Sequence, residues 1–380
     1  MKAAGGGLVH GRRDVLAGAA AMLLGVAGAA HGARGGGPLR LHLLGQSLIR
    51  ANLCAQDWPA RAALAELNGR ANATFSNLEV AIRGPREGPP TRALDTLHVA
   101  DPGVLDCLSA LGIDLLSTSN NHAFDIGTGG ILDAIEALEA RRFVFAGTGR
   151  DLAAASAPAI LQTGAGRVGL VAAAAGFVRA GGSATPGRAG VHEIRQHPDG
   201  RGLHPEDSAA MLHAIAHAGS QADVVIAYLH NHYWEPENWQ TADWARAFAR
   251  ECIDAGAHVF VSHGAPLLHG VEMYRGRPLF HGLGSFIFQT KKEPGFYGPW
   301  AWQSILADCR FEAGRFVSAE LIPVQLNATG VGGDADLETR GRPALAAGHD
   351  AEAIVARLEA LSAALGHRLD HDGRVARLRP

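Results

Sequence analysis

Short apolar runs alternate with amphipathic stretches along most of the chain. Residues 167–174 and 223–229 are continuous runs of mostly aliphatic residues, which are typical of strands covered on both faces. Residues 127–141 place Ile131 and Ile135 on one face at helical spacing. Strands that alternate with helices in this way predict an α/β core with parallel strands.

The same pattern predicts the other elements of the chain. The stretch from 279 to 288 is predicted as a hairpin region, and the strand-rich chain after 270 indicates a mixed sheet or a second sheet. Residues 38–326 are predicted to form one domain, followed by a C-terminal linker and helix at 327–380, with the linker over 327–350. Strands are predicted at 39–44, 74–79, 113–117, 167–174, 223–229, 258–261 and 315–324, and helices at 57–71, 102–111, 127–141, 239–255 and 351–365.

The amino terminus, residues 1–30, has the pattern of an export signal. A basic segment ending in Arg12 and Arg13 precedes an uncharged run rich in Ala, Gly and Leu, and small residues at 27–29 would suit a signal peptidase. The segment around the arginine pair resembles a twin-arginine signal, and the alternative is a plain Sec signal with a chance arginine pair. Either signal predicts an exported protein of the periplasm or cell envelope.

Composition narrows the classes of function. The formal net charge is -3 and the basic residues form no stripe, which argues against a nucleic-acid partner. The four cysteines include no C-x-x-C pair, so a thiolate zinc site is not expected, and no disulfide pairing can be assigned from the spacing.

Polar clusters follow several predicted strands directly. Sites in open α/β sheets form where the carboxyl ends of strands meet, so these clusters are candidates for one common site. Taken singly, each has another explanation: a helix cap, a turn, or a core histidine bonded to the backbone. The clusters are Gly45-Gln46-Ser47, Asn77-Leu78-Glu79, Asn120-Asn121-His122, His230-Asn231-His232 and Ser262-His263-Gly264.

Together these clusters offer a mixed set of nitrogen and oxygen ligands. One carboxylate, one amide oxygen and two or three imidazoles suit Mn²⁺, Fe²⁺ or Zn²⁺ better than Ca²⁺. His232, His269 and His281 are interpreted as non-ligands at this point.

The order of these motifs resembles the CapA family of poly-γ-glutamate capsule synthesis proteins, a family similar in fold to calcineurin-like metallophosphoesterases. The resemblance covers roughly residues 40–325, and several separate motifs occur in the expected order. The motifs are Asn77-Leu78-Glu79, Asn121-His122 with Asp125 and Gly127, His230, Ser262-His263-Gly264, and the segments 270–274 and 283–288.

The resemblance implies a fold and a set of roles. The fold would be a four-layer α/β/β/α sandwich of the metallophosphoesterase type. Glu79, Asn121, His230 and His263 would fall on metal-ligand positions, and Asn121 would also be a catalytic residue. His122 would lie where relatives place a histidine that protonates the leaving group or stabilises charge in the transition state.

The chain departs from the family pattern at two ligand positions. Gln46 stands where the family usually has Asp, and Pro266 stands where a second imidazole is usual. These losses predict one divalent metal or an altered pair instead of a full two-metal centre. His232 is the residue that could compensate. The residues predicted to bind substrate are Gln46, Asn77, His232 and Glu272.

Two functions of different classes follow from these residues. The first is a metal-dependent hydrolase or transferase that acts on a phosphate ester or an anionic γ-glutamyl polymer, with His122 as proton donor. The second is a non-catalytic envelope protein that binds such a polymer beside a membrane polymer synthase, with a degenerate metal site. Lys291 and Lys292 could help to hold an anion, although a lysine pair in a loop is more often solvated surface.

Overall fold

The computed structural model describes residues 38–234 and 237–380. The predicted export signal at 1–30 lies outside these ranges. Within them, two short 3₁₀ helices cover Leu53–Ala55 and Pro299–Trp302. The α-helices are α1 Arg61–Asn68, α2 Gly103–Ala110, α3 Gly127–Ala140, α4 Leu152–Ser156, α5 Pro205–Gln221, α6 Asp243–Asp254 and α7 Gly348–Ala364.

The strands are mostly short and form two main sheets. They are β1 Leu39–Leu43, β2 Gln46–Leu48, β3 Ala73–Asn77, β4 Ala81–Ile82, β5 Val99–Ala100, β6 Leu115–Ser117, β7 Val144–Ala146, β8 Thr148–Gly149, β9 Ala159–Thr163, β10 Gly166–Ala175, β11 Gly190–Val191, β12 Val224–Asn231, β13 Val259–His263, β14 Val271–Tyr274, β15 Arg277–Phe280, β16 Ser285–Phe288, β17 Gln303–Glu312, β18 Arg315–Leu326, β19 Pro343–Leu345, β20 Asp370–His371 and β21 Ala376–Leu378.

Both main sheets are mixed: the parallel strands form one end of the first sheet and the centre of the second. The first sheet has the order β20-β21-β18-β17-β1-β3-β6-β7, with β19 paired to β18, and its strands β1, β3, β6 and β7 are parallel. The second has the order β14-β15-β13-β12-β10-β9, with β10, β12, β13 and β15 parallel. The alternation of strands and helices predicted the parallel strands, and the strand-rich chain after 270 predicted a mixed sheet or a second sheet.

The two sheets pack face to face between outer layers of helices. Phe75 of the first sheet and Tyr228 of the second meet in the buried core between the sheets, with ring centroids 5.3 Å apart. The other face of the first sheet packs on α1, α2 and α3, and the other face of the second packs on α5 and α6. The layer order is therefore α/β/β/α, and the predicted fold class is confirmed.

The predicted hairpin at 279–288 is wrong in its pairing. β15 pairs antiparallel with β14, whereas β16 leaves that sheet and pairs parallel with β2. Gly45 permits this contact, because a Cβ at that position would lie 2.7 Å from the Gly284 carbonyl oxygen. The close backbone approach brings the β1–β2 turn onto the start of β16.

The C-terminal segment differs from the predicted linker. β19 and β21 both pair with β18 in the first sheet, and α7 packs against β14 and β18. Within the stretch predicted as surface, Arg340 is buried with its guanidinium 4.7 Å from the centre of the Trp302 ring. Among the helices of the described ranges, none combines the length and hydrophobicity that crossing a membrane requires.

A disulfide joins two neighbouring elements on the outer face of the first sheet. Cys54, in the first 3₁₀ helix, is bonded to Cys107 of α2, at a sequence separation of 53. Cys252 and Cys309 are buried free thiols. The sequence left this pairing open because the two bonded cysteines are far apart along the chain.

Candidate metal centre

The predicted ligands come from strand ends in both sheets. Glu79 lies two residues beyond β3, and Asn121 lies in the loop after β6, its parallel neighbour in the first sheet. In the second sheet, His230 and His263 stand opposite each other in the parallel pair β12–β13. Since the two sheets pack face to face, the four side chains are brought toward one buried region.

His230 lies at the centre of the cluster. Its Nε2 atom lies 3.0 Å from Asn121 Oδ1 and 3.8 Å from Glu79 Oε1. The Nε2 atom of His232 also lies 3.0 Å from it, so the structure adds His232 to the predicted ligand set. The donor atoms of Glu79, His230 and His232 all lie within 4.8 Å of one another.

Several polar atoms of the cluster are buried without a partner. Among the described residues, neither Glu79 Oε2 nor His263 Nε2 has a hydrogen-bond partner. Buried polar atoms normally find one, and an unsatisfied acceptor costs about 1–3 kcal/mol. A cation among Glu79, His230 and His232 would satisfy Glu79 Oε2 and would also draw together the facing imidazole nitrogens of the two histidines. The residues present therefore fit a divalent metal.

Burial sets the ionisation of the cluster. It lowers the pKa of His263 to about 3 and, with the nearby Arg92 charge, that of His232 to about 3. Burial also lowers the pKa of His230 well below its usual value, and neighbouring histidines add to the effect. Neutral imidazole is the form that binds metals. The pKa of Glu79 is raised by burial, partly offset by Arg92.

Tyr228 supports the imidazoles from behind. Its hydroxyl oxygen lies 3.2 Å from His263 Nδ1 and 3.4 Å from His230 Nδ1. Partners of this kind fix the orientation of metal-binding histidines. A signal for Tyr228 existed in the sequence, because it precedes His230 by two residues in a strand and so points to the same face.

His122 lies beside the cluster in a network of its own. Its Nδ1 atom lies 2.9 Å from Asp125 Oδ2, which also accepts a hydrogen bond from the His98 backbone N–H at 2.7 Å. The His98 ring stacks on the His122 ring with centroids 3.7 Å apart. Arg92 forms an ion pair with Asp125 at 2.5 Å, and its Nη1 atom lies 3.4 Å from His122 Nε2.

Gln46 is near the cluster but is bonded to the backbone. Its Oε1 accepts a hydrogen bond from the Gly264 N–H at 3.2 Å, and its Nε2 donates to the Gly264 carbonyl at 3.4 Å. Gly264 has a φ of 142°, and a Cβ there would lie 1.9 Å from the Asn231 carbonyl oxygen. Gln46 thus holds the turn after His263.

The predicted substrate-binding residues are not all brought together. Asn77 Nδ2 lies 3.5 Å from His230 Nδ1, behind the cluster. Glu272 lies in β14 and pairs with Arg246 and Arg250 of α6, and His281 is 3.6 Å away. Burial would raise the pKa of Glu272, but His281 and the two arginines hold it at about 2. None of these contacts joins Glu272 to the candidate centre.

A family model decides the affiliation of the chain. Residues 25–290 match the model described as "Bacterial capsule synthesis protein PGA_cap", which is more than half of the chain. The chain belongs to this family. The resemblance drawn from the strand-end motifs is thereby confirmed.

Members of the capsule synthesis family recur among the relatives. An uncharacterized protein of Sinorhizobium fredii is 27% identical over 88% of this chain and 92% of its own length. A "Probable polyglutamine synthesis accessory protein" of Mycobacterium tuberculosis is 29% identical over 71% of this chain and 70% of its own. The "PGA biosynthesis protein CapA" of Bacillus subtilis is 28% identical over 48% of this chain and 44% of its own.

Solved structures resemble the chain at low identity. A structure described as a novel phosphatase of Mycoplasma pneumoniae has a TM-score of 0.41 at 12% identity and covers 77% of this chain and 88% of its own. The NAD nucleotidase of Haemophilus influenzae has a TM-score of 0.41 at 14% identity and covers 85% of this chain and 63% of its own.

Proposed function

We propose that the chain is an exported, metal-dependent hydrolase or transferase of the capsule synthesis family. It acts on an anionic envelope substrate, either a phosphate ester or a γ-glutamyl polymer. The observation that carries this proposal is the buried cluster in which Glu79 Oε2 and His263 Nε2 lack partners while the imidazoles of His230 and His232 face each other.

The ligand set assigns the holding residues. Glu79, Asn121, His230 and His263 would hold the metal, and His232 supplies a further nitrogen where the family pattern has lost others. A bound Mn²⁺, Fe²⁺ or Zn²⁺ supplies Lewis acidity toward a phosphoryl or acyl oxygen. The amide oxygen and the amide nitrogen of Gln46 are both hydrogen-bonded to Gly264, so its side chain offers no metal ligand. The loss of this ligand favours a single metal.

His122 transfers a proton at the reacting group, and Arg92 stabilises its negative charge. Asp125 accepts the Nδ1–H of His122, and this bond leaves Nε2 facing Arg92. From that position Nε2 transfers a proton to or from the reacting oxygen. Arg92 and the exposed Arg179 add positive charge near His122, which favours an anionic substrate and stabilises charge that develops on it.

The disulfide supports export. Bonds such as Cys54–Cys107 persist in oxidising compartments and are rare in reducing ones. A periplasmic or cell-envelope location would bring the protein to anionic envelope polymers. The predicted signal at 1–30 would supply the route.

Elemental analysis and a substrate screen test the proposal together. Protein recovered from the periplasm is expected to contain about one Mn, Fe or Zn per chain, and to hydrolyse either phosphate esters or γ-glutamyl amides with added Mn²⁺. The control is the Asn121→Ala/His122→Ala variant, which is expected to be inactive in the same assays. Metal-free wild-type protein that is inactive toward both substrate classes would refute the catalytic proposal.

A second candidate function is polymer binding without catalysis. Gln46 in place of a carboxylate favours it, as does a relative described as an accessory protein of polyglutamine synthesis. In that case the chain would act beside a membrane polymer synthase. Retention of a γ-glutamyl polymer by metal-free protein, with no turnover on Mn²⁺ addition, would distinguish this function from the first.

The Tyr228→Phe variant tests the support behind the imidazoles. Removing the hydroxyl frees His230 Nδ1 and His263 Nδ1 from a shared partner, while the ring still fills the core between the sheets. We expect Zn²⁺ and Mn²⁺ affinity to fall about tenfold, as for other partners of metal-binding histidines. Competition titrations with a metal chelator measure the change. Unchanged affinity for both metals would contradict the assignment.

A further inference from the structure

Arg50, close to the candidate centre, is a largely buried cation without an acidic partner. It lies two residues after the end of β2, and its Nη1 donates to the Gln289 carbonyl oxygen at 3.1 Å. Its Nε atom is buried and has no hydrogen-bond partner in the described ranges. No carboxylate of the described residues lies within 4 Å of its guanidinium. Leaving such a donor unsatisfied is costly, so a ligand for it is expected.

Lys291 is a second cation that, like Arg50, has no acidic partner among the described residues. Its Nζ atom donates to the Leu94 carbonyl oxygen at 3.1 Å, and it too has no carboxylate within 4 Å among the described residues. Burial and the neighbouring Arg50 and Arg83 charges lower the pKa of Lys291. Like charges held close together repel each other, and a bound anion would relieve that repulsion.

The acidic groups of this region are engaged elsewhere or stay outside contact distance. Asp95 lies 2.8 Å from the Nζ of Lys292, and Asp125 pairs with Arg92. Glu338 is exposed, and its charge reaches Arg50 only at longer range. The positive charge at Arg50 and Lys291 is therefore not neutralised by the described residues.

The loop that carries Arg50 is held rigidly. Gln289 Oε1 accepts hydrogen bonds from the backbone N–H groups of Arg50 and Ala51, at 2.6 and 2.9 Å. The amide of Gln289 in turn donates to the Glu338 carbonyl oxygen. Binding groups that are fixed in advance lose less freedom when a ligand arrives.

The pair of cations adjoins the reacting end of the candidate site. The charges of Arg50 and Lys291 both act on His98, whose ring stacks on His122. We infer that Arg50 and Lys291 form an anion subsite that takes a second carboxylate or phosphate group of the substrate, next to the group that reacts at the metal centre. The placement of this subsite next to a reacting group rests on the proposed function. The substrate is then a molecule with at least two anionic groups.

Lys292 provides a matched control in the same loop. Its Nζ pairs with Asp95 and lies 5.2 Å from the centre of the Phe296 ring, so it is engaged by other groups. Replacing it removes the same charge from the adjacent residue without removing a member of the subsite.

Calorimetric titration of the mature chain, with Mn²⁺ held constant, tests the subsite. One probe pair is tetra-γ-glutamate against the same tetramer with its side carboxylates amidated, and the other is fructose 1,6-bisphosphate against fructose 6-phosphate. We expect the more highly charged member of at least one pair to bind about tenfold more tightly, by the gain of charge-assisted hydrogen bonds. The pair that shows the effect identifies the anion as carboxylate or phosphate.

Variants decide whether the two cations carry this preference. Arg50→Gln and Lys291→Gln should each abolish most of it, Arg50→Lys should restore part of it, and Lys292→Gln should leave it intact. A preference that survives both glutamine variants, that is lost equally in Lys292→Gln, or that is absent from wild type overturns the subsite. Wild-type protein that binds no Mn²⁺ but still prefers the more highly charged probe would refute the metal centre alone.

Discussion

Replacing Glu79 with glutamine, or His230 with alanine, is expected to leave a folded protein that has almost no metal. Glu79 supplies the buried carboxylate of the cluster, and His230 lies within 4 Å of three other candidate ligand residues. Loss of a residue that hydrogen-bonds to a metal ligand typically lowers metal affinity about 10–100-fold. Loss of a ligand itself should therefore lower metal affinity at least about 100-fold. Metal content of purified variants measures the effect, and circular dichroism checks the fold.

His269→Gln is the control for these variants. His269 is also buried, but its Nε2 bonds the Asn238 carbonyl at 3.0 Å and its Nδ1 lies 3.3 Å from the Thr241 hydroxyl, outside the cluster. We expect His269→Gln to keep its metal, because neither nitrogen faces the other candidate ligands. Wild-type metal content in both Glu79→Gln and His230→Ala would show that the cluster does not bind metal.

The strand ends could be predicted from the sequence because they follow from local patterns. A continuous apolar run predicts a buried strand, and the carboxyl ends of parallel strands lie at the same edge of the sheet. That reasoning alone placed Glu79, Asn121, His230 and His263 in one site, and the structure brings them together. His232 was predicted as a substrate-binding residue that could compensate for the lost ligands, and its spacing of two residues from His230 is the signal that would have placed it beside His230.

Residues on loops could not be predicted in the same way. Arg92 lies in the Gly/Pro-rich stretch between β4 and β5, where no periodicity indicates direction, and its role depends on contacts to Asn121 and Asp125 far along the chain. Glu272 lies apart from the cluster for a different reason. A family motif surrounds it, but its side chain in β14 points to the arginines of α6.

Some elements also escaped because their signals are weak. α5 has an alanine-rich buried face and several polar residues, so its apolar pattern is faint, and tertiary packing on β10 and β12 supplies most of its stability. The pairing of β16 with β2 is non-local in the same sense. It depends on the absence of a side chain at Gly45, which a hydrophobic pattern does not show.

Removing the Cys54–Cys107 bond is expected to lower stability by about 4 kcal/mol, because the bond closes a loop with a sequence separation of 53 and so restricts the unfolded chain. For a folded body of this size the change corresponds to a fall in Tm of roughly 6 °C. Thermal unfolding of Cys54→Ser/Cys107→Ser measures it. A double variant with wild-type stability would contradict the expectation.

Reductant supplies the control for the disulfide and connects it to location. Dithiothreitol should lower the Tm of wild type to that of Cys54→Ser/Cys107→Ser, and it should leave the double variant unchanged, because Cys252 and Cys309 are free thiols in any case. The same difference should appear in cells. Wild type made in an oxidising compartment should be more stable than wild type made in a reducing one. The double variant should be equally stable in both compartments, because it cannot form the Cys54–Cys107 bond.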